Sequence, residues 1–315
     1  MKNLLICGAS GFIGRNCLEY FSKNKNYRIT ATYFSENKYE KIEGVEYIYV
    51  DLRQEDQVKK LMKGKDIVIQ AAATTTGAKD VINNPSVHVT DNAVMNSWIF
   101  REAVQNNIEH LIFFSCTVMY QPQNVPQKES DWSASDRIYS NYFGVGNTKV
   151  YLENMCDFYS QLGKTKFTAI RHSNVYGPYD KYDLDKCHVI PAFINKIANS
   201  TETLEVWGDG SAKRDILYID DLIDMVDKII INQKNKYELY NCGSEYAYSI
   251  NELAQSIMKA DDKNLELKYD LTKPNIPTVV ILDCEKAKSE LNWQPKTSID
   301  KGMKKTLNWY KENYL

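Results

Sequence analysis

Gly8-Ala9-Ser10-Gly11-Phe12-Ile13-Gly14 decides how this sequence is read. The apolar run Asn3–Cys7 precedes it, and Phe12–Ser22 leaves it with helical spacing of apolar residues. The glycines therefore lie at a strand-to-helix turn. Gly8 permits a tight turn, Gly11 lets the backbone approach a pyrophosphate, and Gly14 allows close packing of helix on strand. The amides and the dipole at the helix start favour a phosphate's negative charge. A glycine pattern has little weight alone; a strand before it and a helix after it supply the context.

Outward from this turn, strand-like and helix-like segments alternate. Arg28–Tyr33 and Tyr47–Val50 are β-rich, and Asp66–Ala73 is a continuous run typical of a strand buried on both faces. Helical patterns cover Ser86–Asn106 and Arg137–Gln161, with further strands at His110–Ser115 and Phe167–His172. Strands separated by helices imply crossovers, so the fold expected is an α/β Rossmann fold with a doubly wound, mostly parallel sheet. The character changes near residue 175. Gly177-Pro178 is a breaker, the stretch to Cys187 is polar, and Trp207-Gly208-Asp209-Gly210 is a turn cluster. Helices are expected at Pro191–Asn199, Asp220–Ile231, Ile250–Ala260 and Ile299–Asn313. The division expected is a dinucleotide-binding domain over 1–174 and a smaller C-terminal substrate lobe over 175–315, with no sharp boundary.

Composition narrows the function classes. The 315 residues are 43% hydrophobic and 25% charged, ordinary globular values. Lys plus Arg number 39 against 41 Asp plus Glu, a net charge of −2, which removes the electrostatic drive toward nucleic acid or an anionic membrane. No run approaches the ~20 apolar residues of a membrane span, and the start does not resemble a signal peptide. The seven cysteines are scattered without a CxxC, so no disulfide framework and no metal site is expected, and the reduced cytoplasm is the expected location. The 22 tyrosines are spread along the whole chain.

The spacing GxxGxxG, rather than GxGxxG, resembles the short-chain dehydrogenase/reductase superfamily, and Val50-Asp51-Leu52 resembles its extended branch. The resemblance implies NAD(P) along Gly8, Ser10, Gly11, Phe12, Ile13 and Gly14. It also places Asp51 and Leu52 at the adenine, and Ala71, Ala72 and Ala73 beside the cofactor. Asp51 is also readable as a helix N-cap, and both can hold. The second strand ends Tyr33-Phe34-Ser35 with no acid to bind a ribose 2′-OH; Glu36 is late and Lys38 is close behind. This leans toward NADP, with NAD open.

Enzymes of this superfamily use a hydroxyl, a tyrosine and a lysine four residues after it, on one helix face. Phe113–Tyr120 resembles their Ser-Ser-x-x-Val-Tyr strand end, with Cys116 at the catalytic serine position and Ser115 and Thr117 flanking it. Thr148-Lys149 with Glu153 matches the family helix, so Lys149 is implied to bind the nicotinamide ribose. Val145 stands where the tyrosine belongs, and valine cannot transfer a proton. Tyr142 and Tyr139 are the nearby phenols, able to reach the pocket if the helix starts late or bends near Gly144 and Gly146.

Asn174-Val175-Tyr176-Gly177-Pro178, Cys187-His188-Val189-Ile190-Pro191 and Trp207–Asp215 resemble GDP-L-fucose synthase-like enzymes, as does the tail Trp293-Gln294-Pro295 for extended sugar-nucleotide enzymes generally. The resemblance implies His188 as an acid, Arg214 on the substrate diphosphate, and Asn174, Lys196 and Trp207 as further substrate contacts. The position of that family's catalytic cysteine is Val118. His172 is readable as facing either cofactor or core, Cys187 as packing, Tyr120 and Tyr176 as structural, and His88 and His110 as helix and loop residues. The implied activity is NAD(P)-dependent oxidoreduction or epimerisation of a nucleotide sugar, most simply a GDP-hexose or GDP-heptose at C4, in surface polysaccharide synthesis. A homodimer through Ser86–Asn106 and Arg137–Gln161 is implied too. The alternative is a catalytically silent scaffold or regulator that binds cofactor and sugar nucleotide.

Overall fold

The computed structural model describes residues 1–35, 39–75, 84–184, 187–273 and 279–315. Its first half runs β1 (Lys2–Cys7), α1 (Phe12–Phe21), β2 (Tyr27–Tyr33), β3 (Glu46–Tyr49), α2 (Glu55–Leu61), β4 (Ile67–Gln70), α3 (Thr90–Gln105), β5 (His110–Phe114), β6 (Pro126–Gln127), α4 (Phe143–Gln161) and β7 (Lys166–His172). The rest is β8 (Asn174–Tyr176), α5 (Val189–Asn199), β9 (Thr203–Trp207), β10 (Lys213–Tyr218), α6 (Ile219–Asn232), β11 (Tyr237–Cys242), β12 (Ala247–Ser249), α7 (Ile250–Ala260), β13 (Glu266–Asp270), β14 (Ile281–Leu282), α8 (Glu285–Leu291) and α9 (Ile299–Tyr314).

Side-chain alternation along the strands explains the layers. Leu4 and Ile6 of β1 join one apolar core with Ile67, Ile69, Ile112 and Ile170. Leu5 and Cys7 face a second core with Val68, Leu111, Phe113 and Phe167. Strands that are apolar on both faces must be covered on both. Leu18 and Phe21 of α1 and Ile223 and Val226 of α6 cover one side, and Val58, Ile99 and Leu152 from α2, α3 and α4 the other. The resulting seven-stranded sheet has the order β11-β7-β5-β4-β1-β2-β3, every pair parallel. This is the doubly wound Rossmann arrangement expected.

The C-terminal elements form a three-stranded sheet, β12-β10-β8, and the parallel pair β13-β9. They do not make a separate core. Leu204, Leu253, Trp293 and Leu307 belong to the same cluster as Leu4 and Ile6. β11, well past residue 174, returns to the central sheet beside β7. Both halves of the chain therefore contribute strands to one sheet.

Two local expectations are corrected. The helix read from Arg137 begins at Phe143, after a short 3-10 turn over Ser140–Tyr142. A Cβ on Gly146 would lie 2.9 Å from the Ile138 side chain, so Ile138 packs on the bare glycine and the chain before Phe143 folds over the helix start. Likewise the helix read from Ser86 begins as a 3-10 turn over Pro85–His88 and becomes α-helical only at Thr90.

Candidate active site

The glycine turn is shaped by contacts only glycine permits. Gly8 has φ +73°, and a Cβ there would lie 2.6 Å from Ala72 Cα. A Cβ on Gly14 would come within 2.2 Å of the Gly8 carbonyl oxygen. Gly14 thus seats α1 against the turn itself, rather than against the strand. Gly11 is the helix N-cap, exposed, with ordinary extended backbone and no side chain to cap. The first turn of α1 holds no acidic residue, so its backbone donors and dipole face the space before Gly11. The Gly8 amide donates to Thr32 Oγ1 at 3.0 Å, tying the turn to β2. Ser10, Phe12 and Ile13 are half-buried around it, and Ala71 and Ala72 are half-buried beside Gly8, with Ala73 exposed. An uncapped helix start, approached by backbone with no intervening Cβ, fits a dinucleotide's pyrophosphate.

Asp51 is not a helix N-cap, because α2 begins after Gln54. Its carboxylate instead takes Arg53 Nε at 2.9 Å and Arg53 Nη2 at 3.0 Å. These bonds hold its carboxyl below the usual range. Arg53 also reaches Asp91 at 3.0 Å and lies 5.0 Å from the Phe34 ring, at the end of β2. Leu52 is buried in the core, so its side chain supports this corner without lining it. Glu36 and Lys38, which bear on cofactor choice, lie outside the described residues.

The second cluster sits past the C-terminal ends of β5 and β7. Lys149 Nζ donates to the Phe114 carbonyl at 2.7 Å and stands 4.7 Å from the Phe113 ring. Burial pushes its pKa down, opposed by Cys116 and Glu153. Burial pushes the Cys116 thiol up, opposed by Lys149 and a hydrogen bond from the Val118 backbone, so Cys116 stays a thiol at neutral pH. Ser115 does not face this space. Its hydroxyl donates to Glu153, which pairs with Arg171 at 2.6 Å, and Arg171 donates to Tyr120 Oη at 2.9 Å. β5 ends at Phe114, so regular alternation past Ser115 does not apply.

Tyr142, just before α4, is half-buried and packs against the same core cluster as Cys116. Burial raises its phenol, Arg214 lowers it, and Tyr139 and Cys116 raise it. Arg214, on β10 of the lobe, is in turn lowered by burial and raised by Tyr142. The late helix start leaves Tyr142 outside α4, where both Cys116 and Arg214 act on its phenol electrostatically. Tyr139 is more exposed, 6.0 Å from the Tyr142 ring.

His172 ends β7 and is half-buried. Its Nδ1 donates to the Ser173 carbonyl at 2.8 Å, and its ring lies 6.2 Å from Phe114. Burial pushes it down to about 4, and Lys149 and His188 add to this. His188, the N-cap of α5, is exposed yet set among protein groups; desolvation, Lys181 and His88 hold it below the ordinary value. Sequence left His172 undecided, and only the placement beside Lys149 and His188 assigns it to the cleft. His110 is not a loop residue: it opens β5, buried, with Nε2 2.8 Å from Thr168 Oγ1, and burial pushes it down to about 3. His88 is buried in the 3-10 turn.

In the lobe, Asn174 donates to the Asp215 carbonyl at 2.9 Å, next to Arg214. Lys196, on α5, and Trp207, on β9, both donate to Glu205, a residue the sequence reading passed over. The period-2 pattern Glu205-Val206-Trp207 was the available signal. Tyr176 is buried against Tyr218, and Cys187 is half-buried, its thiol raised by burial to about 11. All seven cysteines are unbonded, no metal-binding group of His, Cys, Asp and Glu exists among the described residues, and no described helix is long and apolar enough to cross a membrane.

The family model described as NAD dependent epimerase/dehydratase matches residues 4–243. The chain is 27% identical to a GDP-L-colitose synthase of Yersinia pseudotuberculosis, over 98% of this chain and 97% of that one. It is 28% identical to a GDP-mannose 3,5-epimerase of Oryza sativa, over 98% and 81%. Among solved structures, it resembles a UDP-glucose 4-epimerase of Thermotoga maritima with UDP-glucose, at TM-score 0.88 and 21% identity over 99% and 100%. A UDP-glucose 4-epimerase of Bifidobacterium longum, in complex with NAD+ and UDP, aligns with TM-score 0.83 and 20% identity over 99% of each chain.

Proposed function

Because this chain belongs to the NAD-dependent epimerase/dehydratase family, we propose that it is an NAD(P)-dependent oxidoreductase or epimerase of a nucleotide sugar. The substrate proposed is a GDP-hexose or GDP-heptose, with hydride exchange at C4, serving surface polysaccharide synthesis. The relatives named for GDP-sugars support the nucleotide. The observation that carries the reading is the uncapped helix start at Gly11, approached by the Gly8 and Gly14 backbone with no intervening Cβ, together with Lys149 held 2.7 Å from the Phe114 carbonyl at the end of β5.

The turn at Gly8, Gly11 and Gly14 would hold the pyrophosphate, Asp51 the adenosine end, and Lys149 the nicotinamide ribose. The bound nicotinamide supplies hydride acceptance and return. Arg53 beside the Phe34 ring brings a cation to the end of β2, which supports the lean toward NADP. On the substrate side, Arg214 binds the diphosphate through a charge-assisted fork. Cys116 presents a protonated thiol to the sugar oxygen. Tyr142 moves the hydroxyl proton in place of the missing tyrosine; burial holds its phenol protonated, and the Arg214 charge partly offsets that. His188 is neutral at pH 7, because its pKa lies below the ordinary value, and so is the base available from the lobe. A homodimer would pair α3 and α4, where Tyr151 and Phe158 are exposed.

The test is turnover of GDP-sugars with NAD and NADP, alongside identification of the dinucleotide released on denaturation. Tyr142→Phe should lower turnover by ~10²–10⁴ while sugar-nucleotide binding persists. If Tyr142→Phe and His188→Asn both leave the rate unchanged, neither side chain is the relay. If Val145→Tyr raises the rate by orders of magnitude, the native site is a degraded catalyst and the scaffold reading replaces this one. Arg214→Ala should remove most of the thermal shift produced by GDP.

A further inference from the structure

The segment Pro178–Tyr182, between β8 and α5, is held in an unfavourable conformation that the proposed chemistry does not use. Tyr179 has φ +68°, in the left-handed region that a bulky side chain rarely adopts. Beside it Asp180 is 6% exposed, and its Oδ2 has no hydrogen-bond partner among the described residues. A buried carboxylate oxygen left unpaired is costly. Strain of this kind persists only where the surroundings over-determine it. Here both halves of the chain do so. On the dinucleotide side, Asn16 Nδ2 of α1 donates to the Pro178 carbonyl at 2.9 Å, and Tyr179 Oη donates to Glu19, also on α1, at 3.0 Å. Lys181 Nζ donates at 3.1 Å to the carbonyl of Thr75, two residues after Ala73. On the lobe side, Asn195 Nδ2 of α5 donates to the Tyr182 carbonyl at 3.0 Å. Five residues thus join the helix that starts at the glycine turn to the helix that starts at His188.

Resting on the reading above, with a dinucleotide at the start of α1 and a sugar nucleotide reaching His188, we infer that Pro178–Tyr182 is a strained strap that couples the two sites. A ligand that holds α1 in the arrangement seen here also favours the docked strap, and through Asn195 the docked position of α5 and His188. Coupling needs an element with two forms that both sites bias. The strain supplies them: the left-handed tyrosine and the unpaired carboxylate favour release, and the anchors on α1 and α5 favour docking. Each ligand therefore draws on a released population and tightens the other by the same factor. Asn16 and Asn195 touch neither ligand in this scheme; they act only through the strap.

The experiment measures GDP binding to the whole protein by calorimetry, alone and saturated with NAD or NADP. Wild type should bind GDP about fivefold or more tighter when the dinucleotide is present. Asn195→Leu severs the hydrogen bond from α5 to the strap. It should bring that ratio toward one while dinucleotide affinity without GDP stays at the wild-type value. Asn16→Leu, at the opposite end, should lower the ratio as well. A single cooperative unfolding transition without ligand confirms that each variant is folded. If both variants keep the wild-type ratio, the strap does not carry the coupling and the inference is overturned. If wild type binds both ligands with a ratio of one, the strap is overturned while the nucleotide-sugar reading stands. If wild type binds neither GDP nor a dinucleotide, that reading has failed and the strap falls with it.

Discussion

Gly11 and Gly14 are three residues apart in one turn, yet the structure gives substitutions there opposite consequences. A Cβ on Gly14 would lie 2.2 Å from the Gly8 carbonyl oxygen and 2.7 Å from its carbon, so backbone must move by about 1 Å. Overpacking of this kind costs ~1–3 kcal/mol. At ~2.1 cal/mol/K of unfolding entropy per residue, 1 kcal/mol shifts the Tm of a 315-residue chain by about 1.5 °C. Gly14→Ala should therefore lower the ligand-free Tm by ~2–5 °C. Gly11→Asp meets only a 3.3 Å contact and places a favoured N-cap at a helix that has no side-chain cap and no acid in its first turn. Its ligand-free Tm should be unchanged or higher by about 1 °C. The same carboxylate would stand against the pyrophosphate; two like charges ~5 Å apart at an effective dielectric of about 20 repel by ~3 kcal/mol. Dinucleotide affinity should fall by tenfold or more. Differential scanning fluorimetry without ligand, followed by titration with NAD and NADP, separates the two effects. A Gly11→Asp protein that loses ligand-free stability like Gly14→Ala, or keeps full dinucleotide affinity, would refute the assignment of this turn.

Two other substitutions probe the surrounding framework. Asp180 is buried with Oδ2 unpartnered, and burial raises its carboxyl to about 7 from 3.8. Its folded pKa is above its unfolded one, so the native state binds the extra proton, and wild-type stability declines as pH rises from about 4 to 7. Asp180→Asn removes that term: its advantage over wild type in urea unfolding should grow from pH 5 to pH 7 and level off above, and a pH-independent difference contradicts the assignment. Arg171→Leu strands the Glu153 carboxylate among Ser115 and buried apolar groups. Breaking a buried pair costs ~3–5 kcal/mol, so Tm should drop by ~5–8 °C, with partial recovery when Glu153→Leu is added; a loss under ~1 kcal/mol means the pair is not holding the end of β5.

Local pattern made much of this protein readable. The glycine turn, the apolar runs of β1, β4, β5 and β7 and the Lys149 helix follow from residues within a few positions of one another, where periodicity and backbone conformation are determined. Val145 four residues before Lys149 was equally plain, because it is a matter of spacing. The surroundings of Tyr142 were not. Tyr142 lies within electrostatic influence of Arg214 across 72 positions of chain, which needs both the late start of α4, where Ile138 packs on Gly146, and the docking of β10 beside β8. Asp51 was readable as an adenine contact and as a cap, and the structure removes the cap, because α2 begins after Gln54 and Arg53 takes the carboxylate. Ser115 read as a flanking hydroxyl until Glu153, 38 residues on, accepted its hydrogen bond. β11 read as part of a lobe until it paired with β7. In each case a polar side chain or strand edge must find a partner, and several partners are compatible with the local sequence. Burial decides among them, because an unpaired polar group in the interior is costly, and burial is fixed only when distant segments pack.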